Sequence, residues 1–242
     1  MAGFIVDMHV HTVKGASDSS LTPQQLVEEA HRIGLNGVNI SEHDRLWDSH
    51  ELERFRQESG LFASRAMEVS TDLGHIIVLG LERYAPGIHK AANLRRAVAK
   101  AGGFMWWAHP FRHFFDPVHY RRDGRPQPDL TADDAASLPI LALVDDLEVA
   151  NGGCAVQENA FALAVARILG KPGIGASDAH STHGLGCFTT VFERPLADER
   201  ELIAELRAGR YHPAEGLLSN ALVAFGEGVS GINSSTSTHG LT

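Results

Sequence analysis

Histidines and acidic residues recur in short groups along the chain, and several groups have the spacing of metal ligands. The chain opens with Asp7-Met-His9-Val-His11. Side chains two apart on a strand share a face, so His9 and His11 can reach one ion. The same spacing returns in Asp178-Ala-His180. Fourteen histidines are many for 242 residues, and this excess indicates metal chemistry.

The remaining candidates stand at the ends of predicted strands. They are His43 with Glu42 and Asp44, then Glu68, His75 and His109, while Glu148 lies within a strand. In an α/β barrel the carboxyl ends of the strands form the active-site face, so we expect these side chains to converge. A lone histidine there is more often structural, but several on one face favour a site. His75 is the exception, because it opens its predicted strand.

Short apolar runs alternate with amphipathic segments. The predicted strands are residues 4–11, 37–41, 65–70, 76–81, 104–108, 143–149, 173–177 and 189–192. Helices are predicted from Thr22 and from Asp198, with Gln25 and Glu201 three residues on, and over 90–101 and 156–169. This alternation predicts a parallel sheet in a single α/β domain, either a closed barrel or an open sheet. We assign residues 1–224 to that domain and 225–242 to a flexible tail.

Residues 110–130 interrupt the alternation with aromatic, arginine and proline residues. We interpret this segment as a long loop inserted over the site. Arg112, Arg121 and Arg122 are the candidates for binding a substrate phosphate, because a guanidinium group binds such anions bidentately. His113 and His119 in the same segment are weaker candidates.

Composition limits the partners. A formal net charge of −9 argues against a long nucleic acid, whose binding relies on dense Lys and Arg, but not against a small phosphorylated substrate. Two cysteines make no disulfide framework, and we expect a cytoplasmic protein. There is no secretory signal and no apolar run of about 18 residues, so no membrane association is expected. The sequence does not indicate an oligomeric state.

Taken in chain order, these motifs resemble the PHP (polymerase and histidinol phosphatase) domain. The resemblance rests on Asp7-Met-His-Val-His11, Ser17-Asp18 through Thr22-Pro23, Glu42-His-Asp44, Glu68 with Gly74-His75, Ala108-His-Pro110 and Ser177-Asp-Ala-His180. It covers roughly residues 4–195. Two departures are Glu42, where the family commonly has Asp, and the insertion after His109.

The resemblance implies a distorted (β/α)₇ TIM-like barrel with two or three divalent metal ions. Ligand types suit zinc, manganese or iron. By motif, His9, His11, Glu68 and Asp178 would hold one ion. Glu68 would bridge to a second, shared with His75 and His109. The third would be held by Asp18, His43 and His180.

The function implied is hydrolysis of a small phosphate ester, such as a nucleotide or a sugar or amino-alcohol phosphate, by metal-activated hydroxide. Glu68 and Asp178 are the expected catalytic residues, and His183 is a candidate general acid or substrate contact. Alternatives are a 3′–5′ exonuclease acting on short oligonucleotides, and a hydrolase of lactones or amides. A metal-dependent binding module without turnover is a further alternative.

Overall fold

A computed structural model describes residues 3–227, which form a mixed α/β domain around one curled sheet. The strands are β1 Phe4–Val10, β2 Gly37–His43, β3 Phe62–Thr71, β4 Gly74–Leu79, β5 Phe104–Trp107, β6 Asp146–Asn151, β7 Ile174–Ala176, β8 Phe188–Phe192, β9 Tyr211–Glu215 and β10 Val223–Ala224. The helices are α1 Pro23–Ile33, α2 Ser49–Ser59, α3 Ala91–Ala101, α4 Pro117–Arg122, α5 Ala132–Ala136, α6 Val156–Leu169 and α7 Glu199–Ala208.

The sheet curls until the chain after β7 meets β1. The strand order is β10-β9-β8-β1-β2-β3-β4-β5-β6-β7. Across the seam, the amide of Asp178 donates to the carbonyl of His9, and the amide of His11 donates to that of Ala179, each at 2.9 Å. These hydrogen bonds place the Asp178–His180 motif beside the Asp7–His11 motif.

The prediction of a parallel sheet is wrong in part, because the sheet is mixed. The pairs β1–β2, β2–β3, β5–β6 and β6–β7 are parallel, whereas β4 is antiparallel to both β3 and β5. A tight turn joins β3 to β4, with Thr71 opposite Gly74, so no helix reverses the direction of the chain there. The fold is therefore α/β with a curled sheet, but it does not follow a simple repeat of seven β/α units.

Local signals explain where several elements begin and end. Thr22 caps α1 in a reciprocal box with Gln25, and Asp198 caps α7, as the sequence predicts. The fourth strand stops at Leu79, earlier than predicted, because Gly80 turns the chain at φ 85°. The sixth begins at Asp146 rather than at residue 143, since a 3₁₀ turn over Pro139–Ala142 precedes it.

Helices α2, α4 and α5 and strands β9 and β10 were not predicted. Helix α2 buries only Leu52 and Phe55, which is too little for a clear apolar face. Strand β9 contains Pro213, a residue that argues against a strand because it lacks the ladder donor. Short helix α4 lies inside the segment predicted as a loop.

The end of the described chain packs against the domain. The amide of Phe225 donates to the carbonyl of Pro213 at 2.8 Å, and its ring lies edge-on to Phe188. Residues 225–227 of the predicted tail therefore belong to the fold, and 228–242 lie outside the described residues. Among the residues from 3 to 227, no helix is long and apolar enough to cross a membrane.

Candidate metal centre

The predicted metal ligands converge at one edge of the sheet. Nine side chains meet there: His9, His11, Asp18, His43, Glu68, His75, His109, Asp178 and His180. In three groups of three residues, the potential donor atoms all lie within 4.8 Å of one another: His9, His11 and Asp178; Glu68, His75 and His109; and His11, His43 and His180, beside which Asp18 lies. The chain therefore places mixed nitrogen and oxygen donors at distances from which small adjustments would let them share ions.

The innermost group comprises His9, His11 and Asp178. The Nε2 atoms of His9 and His11 are 2.8 Å apart, and both point at Asp178 Oδ1, at 3.3 and 3.4 Å respectively. Both histidines are fully buried. Alternation along β1 puts the two rings on one face, as their spacing predicts.

Glu68 stands between this group and a second one. Its Oε1 lies 2.8 Å from His75 Nδ1 and 2.9 Å from His109 Nε2. Its Oε2 lies 2.9 Å from His43 Nδ1 and 3.3 Å from His11 Nε2. The two oxygens of one buried carboxylate thus face two different sets of histidines, which is the arrangement of a bridging ligand.

A third group opens to solvent. Asp18 Oδ2 lies 3.4 Å from His43 Nε2 and 3.4 Å from His180 Nε2. The side chain of Asp18 is 60% exposed, whereas that of Glu68 is 2% exposed. A small molecule would approach the cluster from this side.

Two of the predicted ligands have a left-handed backbone. His109 has φ 30° and Asp178 has φ 57°, values that non-glycine residues adopt at a cost of about 1–3 kcal/mol each. Both follow the last residues of strands, and both are held by their amides: His109 N donates to Glu148 Oε2 at 2.8 Å, and Asp178 N donates across the seam to β1. Strain at these positions is consistent with a functional role.

The charges of the cluster reinforce one another. Burial opposes ionisation of Glu68, but His9, His109 and His11 outweigh it and hold the pKa of that carboxyl well below its usual value. Burial likewise opposes ionisation of Asp178, whose pKa is nevertheless lowered by His9, His11 and Arg112. Both carboxylates are therefore ionised at neutral pH.

The pKa values of His9 and His43 shift upwards, opposite to those of the carboxyl groups. Burial alone would lower the pKa of His9, but the carboxylates of Asp178, Glu148 and Glu68 raise it well above its usual value. The carboxylate of Glu68, close to its ring, raises the pKa of His43. Without a metal, the cluster would balance its carboxylates with protons held on imidazoles.

The donor set fits divalent metal ions. Glu68 Oε2 is buried and has no hydrogen-bond partner, although the ring nitrogens of three histidines lie within 3.6 Å. A buried acceptor without a donor is costly, and a cation in contact with it would remove that cost. Carboxylate and imidazole ligands suit zinc, manganese and iron alike.

The three arginines predicted to bind substrate lie in different places. Arg112 reaches the cluster, where its Nη2 contacts Asp178 Oδ2 and lies 3.2 Å from Asn151 Oδ1. Arg121 and Arg122 are exposed on α4, and among residues 3–227 neither contacts a predicted ligand; Arg121 Nε bonds to Pro117 O within its own helix. The structure therefore brings one of the three candidate arginines to the cluster, and phosphate binding by each of them stays a prediction.

The weaker candidates lie apart from the cluster contacts. The rings of His113 and His119 stack on each other with centroids 4.8 Å apart. His183 is exposed in the loop after the Asp178 motif, and its carbonyl accepts from Ser181 Oγ.

Glu148 has a role that the sequence did not reveal. It is buried, and its two oxygens accept from Trp106 Nε1, His109 N and Asn151 Nδ2 and lie 2.9 Å from His9 Nδ1. The carboxylate fixes the ring of His9, so that Nε2 faces the cluster. In the sequence, the only indication of this role is that Glu148 is an acidic residue within a predicted strand.

Other acidic neighbours serve the backbone. Asp7 accepts from the amides of His9, Ser177 and Gly186. Glu42 accepts from Thr12 and from Trp47 Nε1, and so shapes the loop after β1. Asp44 accepts from the amide of Ser70.

Parts of the chain are similar in sequence to known proteins. Residues 156–211 match the family model PHP_C, described as PHP-associated. A region of 125 residues is 30% identical to an error-prone DNA polymerase of Nocardia farcinica and covers 50% of this chain. Another of 102 residues is 30% identical to a 5′-3′ exoribonuclease of Haemophilus influenzae and covers 38% of this chain. The matched regions span only 10% and 36% of those two proteins.

Solved structures share the fold at low identity. PsfC from Pseudomonas syringae superposes with a TM-score of 0.59 at 16% identity, covering 90% of this chain and 95% of the other. A candidate metal-dependent phosphoesterase from Bifidobacterium adolescentis gives 0.54 at 18%, covering 84% and 96%. An amidohydrolase from Chromobacterium violaceum, with bound sulfate and no metal, gives 0.58 at 17%, covering 83% and 96%.

The matched family model runs from α6 to the first residue of β9 and includes the Asp178–His180 motif, and the other His and acidic motifs precede it along the chain. The structural neighbours share the fold. Over residues 156–211 the chain is therefore similar in sequence to the PHP-associated family.

Proposed function

We propose that this protein is a metal-dependent phosphoesterase that hydrolyses a small phosphorylated molecule. The observation that carries the proposal is Glu68, whose two oxygens face two different sets of histidines at 2.8–3.3 Å in a buried position. Such a carboxylate can bridge adjacent cations, and adjacent cations suit the displacement of an oxygen from phosphorus.

Two or three divalent ions of zinc, manganese or iron would be held by the nine converging residues. When bound, such ions generate a nucleophile from water at neutral pH and offset negative charge on a phosphoryl group. His9, His11 and Asp178 would hold the inner ion, Glu68, His75 and His109 the second, and Asp18, His43 and His180 the outer one. Because the side chain of Asp18 is 60% exposed, a substrate would reach the cluster from the side of Asp18, His43 and His180.

The protein's own side chains then have distinct tasks. Glu68 and Asp178 stay ionised, because neighbouring histidines hold the pKa of each carboxyl below its usual value. Glu148 holds His9 through Nδ1, which leaves Nε2 directed at the cluster. His183 is exposed beside the outer group's loop and is our candidate to protonate the leaving oxygen.

Metal content and ester hydrolysis, measured on one gently purified sample, test the proposal. We expect two to three transition-metal equivalents by elemental analysis, with turnover of p-nitrophenyl phosphate exceeding that of bis-p-nitrophenyl phosphate. Failure to bind metal after reconstitution would contradict the proposal. A loaded site that hydrolyses lactones or amides and neither phosphate ester would favour the carbonyl alternative, for which the structural neighbour named as an amidohydrolase gives a reason to look.

A nuclease is the second candidate, and the partial identity to an exoribonuclease favours it. The net charge of −9 weighs against long nucleic acids, which bind through dense positive charge. Short single-stranded oligonucleotides labelled at either end separate the candidates. Processive shortening from one end at a rate above that of monoester hydrolysis would replace our proposal, and the label retained would give the direction.

A further inference from the structure

Five side chains around the inner group form a closed ring of polar contacts. His9 Nδ1 meets Glu148 Oε1, Glu148 Oε2 accepts from Asn151 Nδ2, and Asn151 Oδ1 accepts from Arg112 Nη2. Arg112 Nη2 also contacts Asp178 Oδ2, while Asp178 Oδ1 returns to His9 Nε2 at 3.3 Å. The ring connects two predicted metal ligands through three residues that are not ligands.

The backbone of Asn151 is held by two hydrogen bonds to the side chain of Asn159. Its amide donates to Asn159 Oδ1, and its carbonyl accepts from Asn159 Nδ2, each at 3.0 Å. Asn151 and Asn159 are both nearly inaccessible to solvent. The acceptor that Asn151 offers to Arg112 is therefore held by the scaffold.

The guanidinium of Arg112 fits closely over Gly153. A Cβ atom on residue 153 would lie 2.3 Å from Arg112 Nη2 and 2.9 Å from its Cζ. Any side chain there would displace the guanidinium from Asp178 and Asn151. Glycine at position 153 therefore leaves the space that the guanidinium of Arg112 occupies.

From this geometry we propose that Arg112 is a positioning residue that keeps Asp178 Oδ1 turned towards His9 and His11, and not a residue that binds the substrate anion. The inference rests on the proposed metal site. Nη2 contacts both Asp178 and Asn151, and Nε is buried without a hydrogen-bond partner, so the hydrogen bonds that the guanidinium makes within residues 3–227 go to the side chains of Asp178 and Asn151. Without Arg112, Oδ2 loses its charged donor and the carboxylate is free to rotate.

The test is Mn²⁺ binding to the metal-free protein, with free Mn²⁺ followed by electron paramagnetic resonance and Zn²⁺ added in competition. Arg112→Met, Arg112→Lys and Gly153→Ala are compared with wild type, and Arg125→Met serves as an exposed control on the same segment. We expect Arg112→Met and Gly153→Ala to weaken the tightest binding step by about 10–100-fold, as the loss of a hydrogen bond that orients a metal ligand does. Arg112→Lys should recover part of that loss, and Arg125→Met should bind as wild type.

Thermal unfolding of the metal-free variants separates misfolding from altered binding, because a positioning role requires weakened binding in a folded chain. Wild-type Mn²⁺ affinity in a folded Arg112→Met variant, with a raised KM for p-nitrophenyl phosphate, would overturn the inference and assign Arg112 to anion binding. If wild type itself binds no metal, the proposed function fails first. Should Arg112→Met not fold, Gly153→Ala decides by the same two measurements.

Discussion

His75 Nδ1 lies 2.8 Å from Glu68 Oε1 because β4 runs antiparallel to β3. In the register of this hairpin, His75 pairs with Ser70, so the first residues of β4 lie at the edge where β3 ends. His75, at the start of β4, therefore lies beside histidines that are placed at the ends of other strands. The reversed strand removes the apparent exception in the ligand pattern and supplies Glu68 with a second set of histidines.

Glu68→Gln should abolish metal-dependent turnover while the domain stays folded. The amide keeps the size of the side chain but cannot bridge two cations with ionised oxygens, and it places an N–H donor among ring nitrogens. We expect kcat for p-nitrophenyl phosphate to fall by at least about 10³-fold and bound metal to drop by at least one equivalent. Steady-state kinetics and elemental analysis measure both.

Its control is Glu58→Gln, an exposed change on α2, which should retain wild-type values. Full activity of a folded Glu68→Gln variant would remove Glu68 from the mechanism. A variant that loses metal and also unfolds would instead indicate that the carboxylate supports the fold.

The sequence predicted which side chains converge better than it predicted the layout of the sheet. Residue type and spacing placed His9 and His11 on one face, because alternation along a strand is a local property. The reversal of β4 depends on a turn at Thr71–Gly74 competing with a crossover helix, and pattern alone does not decide between them. The contact of Glu148 with His9 joins residues that are 139 positions apart in the chain, so no local signal could reveal it.

Metal removal should lower the stability of the domain. The nine ligands come from separate strands and loops, so ions that bind the folded state stabilise it by mass action. At a free metal concentration about 100 times Kd the gain is about 2.7 kcal/mol, which corresponds to a rise of about 5–10 °C in Tm for a domain of this size. Calorimetry with chelator and after readdition of Mn²⁺ measures this, and a Tm indifferent to metal would contradict the arrangement.

Metal affinity should fall as the pH is lowered. A ligating imidazole must be neutral, and carboxylates raise the pKa of both His9 and His43 in the metal-free protein. Protons therefore compete with metal below those raised values, and each competing proton costs about one log unit of affinity per pH unit. Mn²⁺ titrations at several pH values measure the slope. An affinity that rises towards acid pH would show that the histidines are not ligands.

Glu205 should make stability depend on acid pH, away from the metal site. Hydrogen bonds from Arg210 and Arg194 lower the pKa of Glu205 from 4.5 to about 2. A depressed carboxyl pKa stabilises the fold above pH 4.5, and that stability is lost as the pH falls towards 2. We expect Glu205→Gln to cost about 1–2 kcal/mol at pH 7, since both arginines are half exposed and screened, and less at pH 3. Urea unfolding at both pH values, with Glu58→Gln as the control, checks the difference.

His183 should matter only when the leaving group needs a proton. p-Nitrophenolate can leave without being protonated, whereas an alkoxide is a poor leaving group unless it receives a proton. A general acid therefore accelerates the hydrolysis of alkyl esters selectively. We expect His183→Ala to lower kcat/KM for an alkyl phosphate by about 10²-fold or more and to leave p-nitrophenyl phosphate hydrolysis nearly unchanged. His113→Ala, which removes an exposed histidine stacked on His119, provides the matched control. Equal losses on both esters would indicate a contact with substrate common to both, and no loss on either would return His183 to the solvated surface.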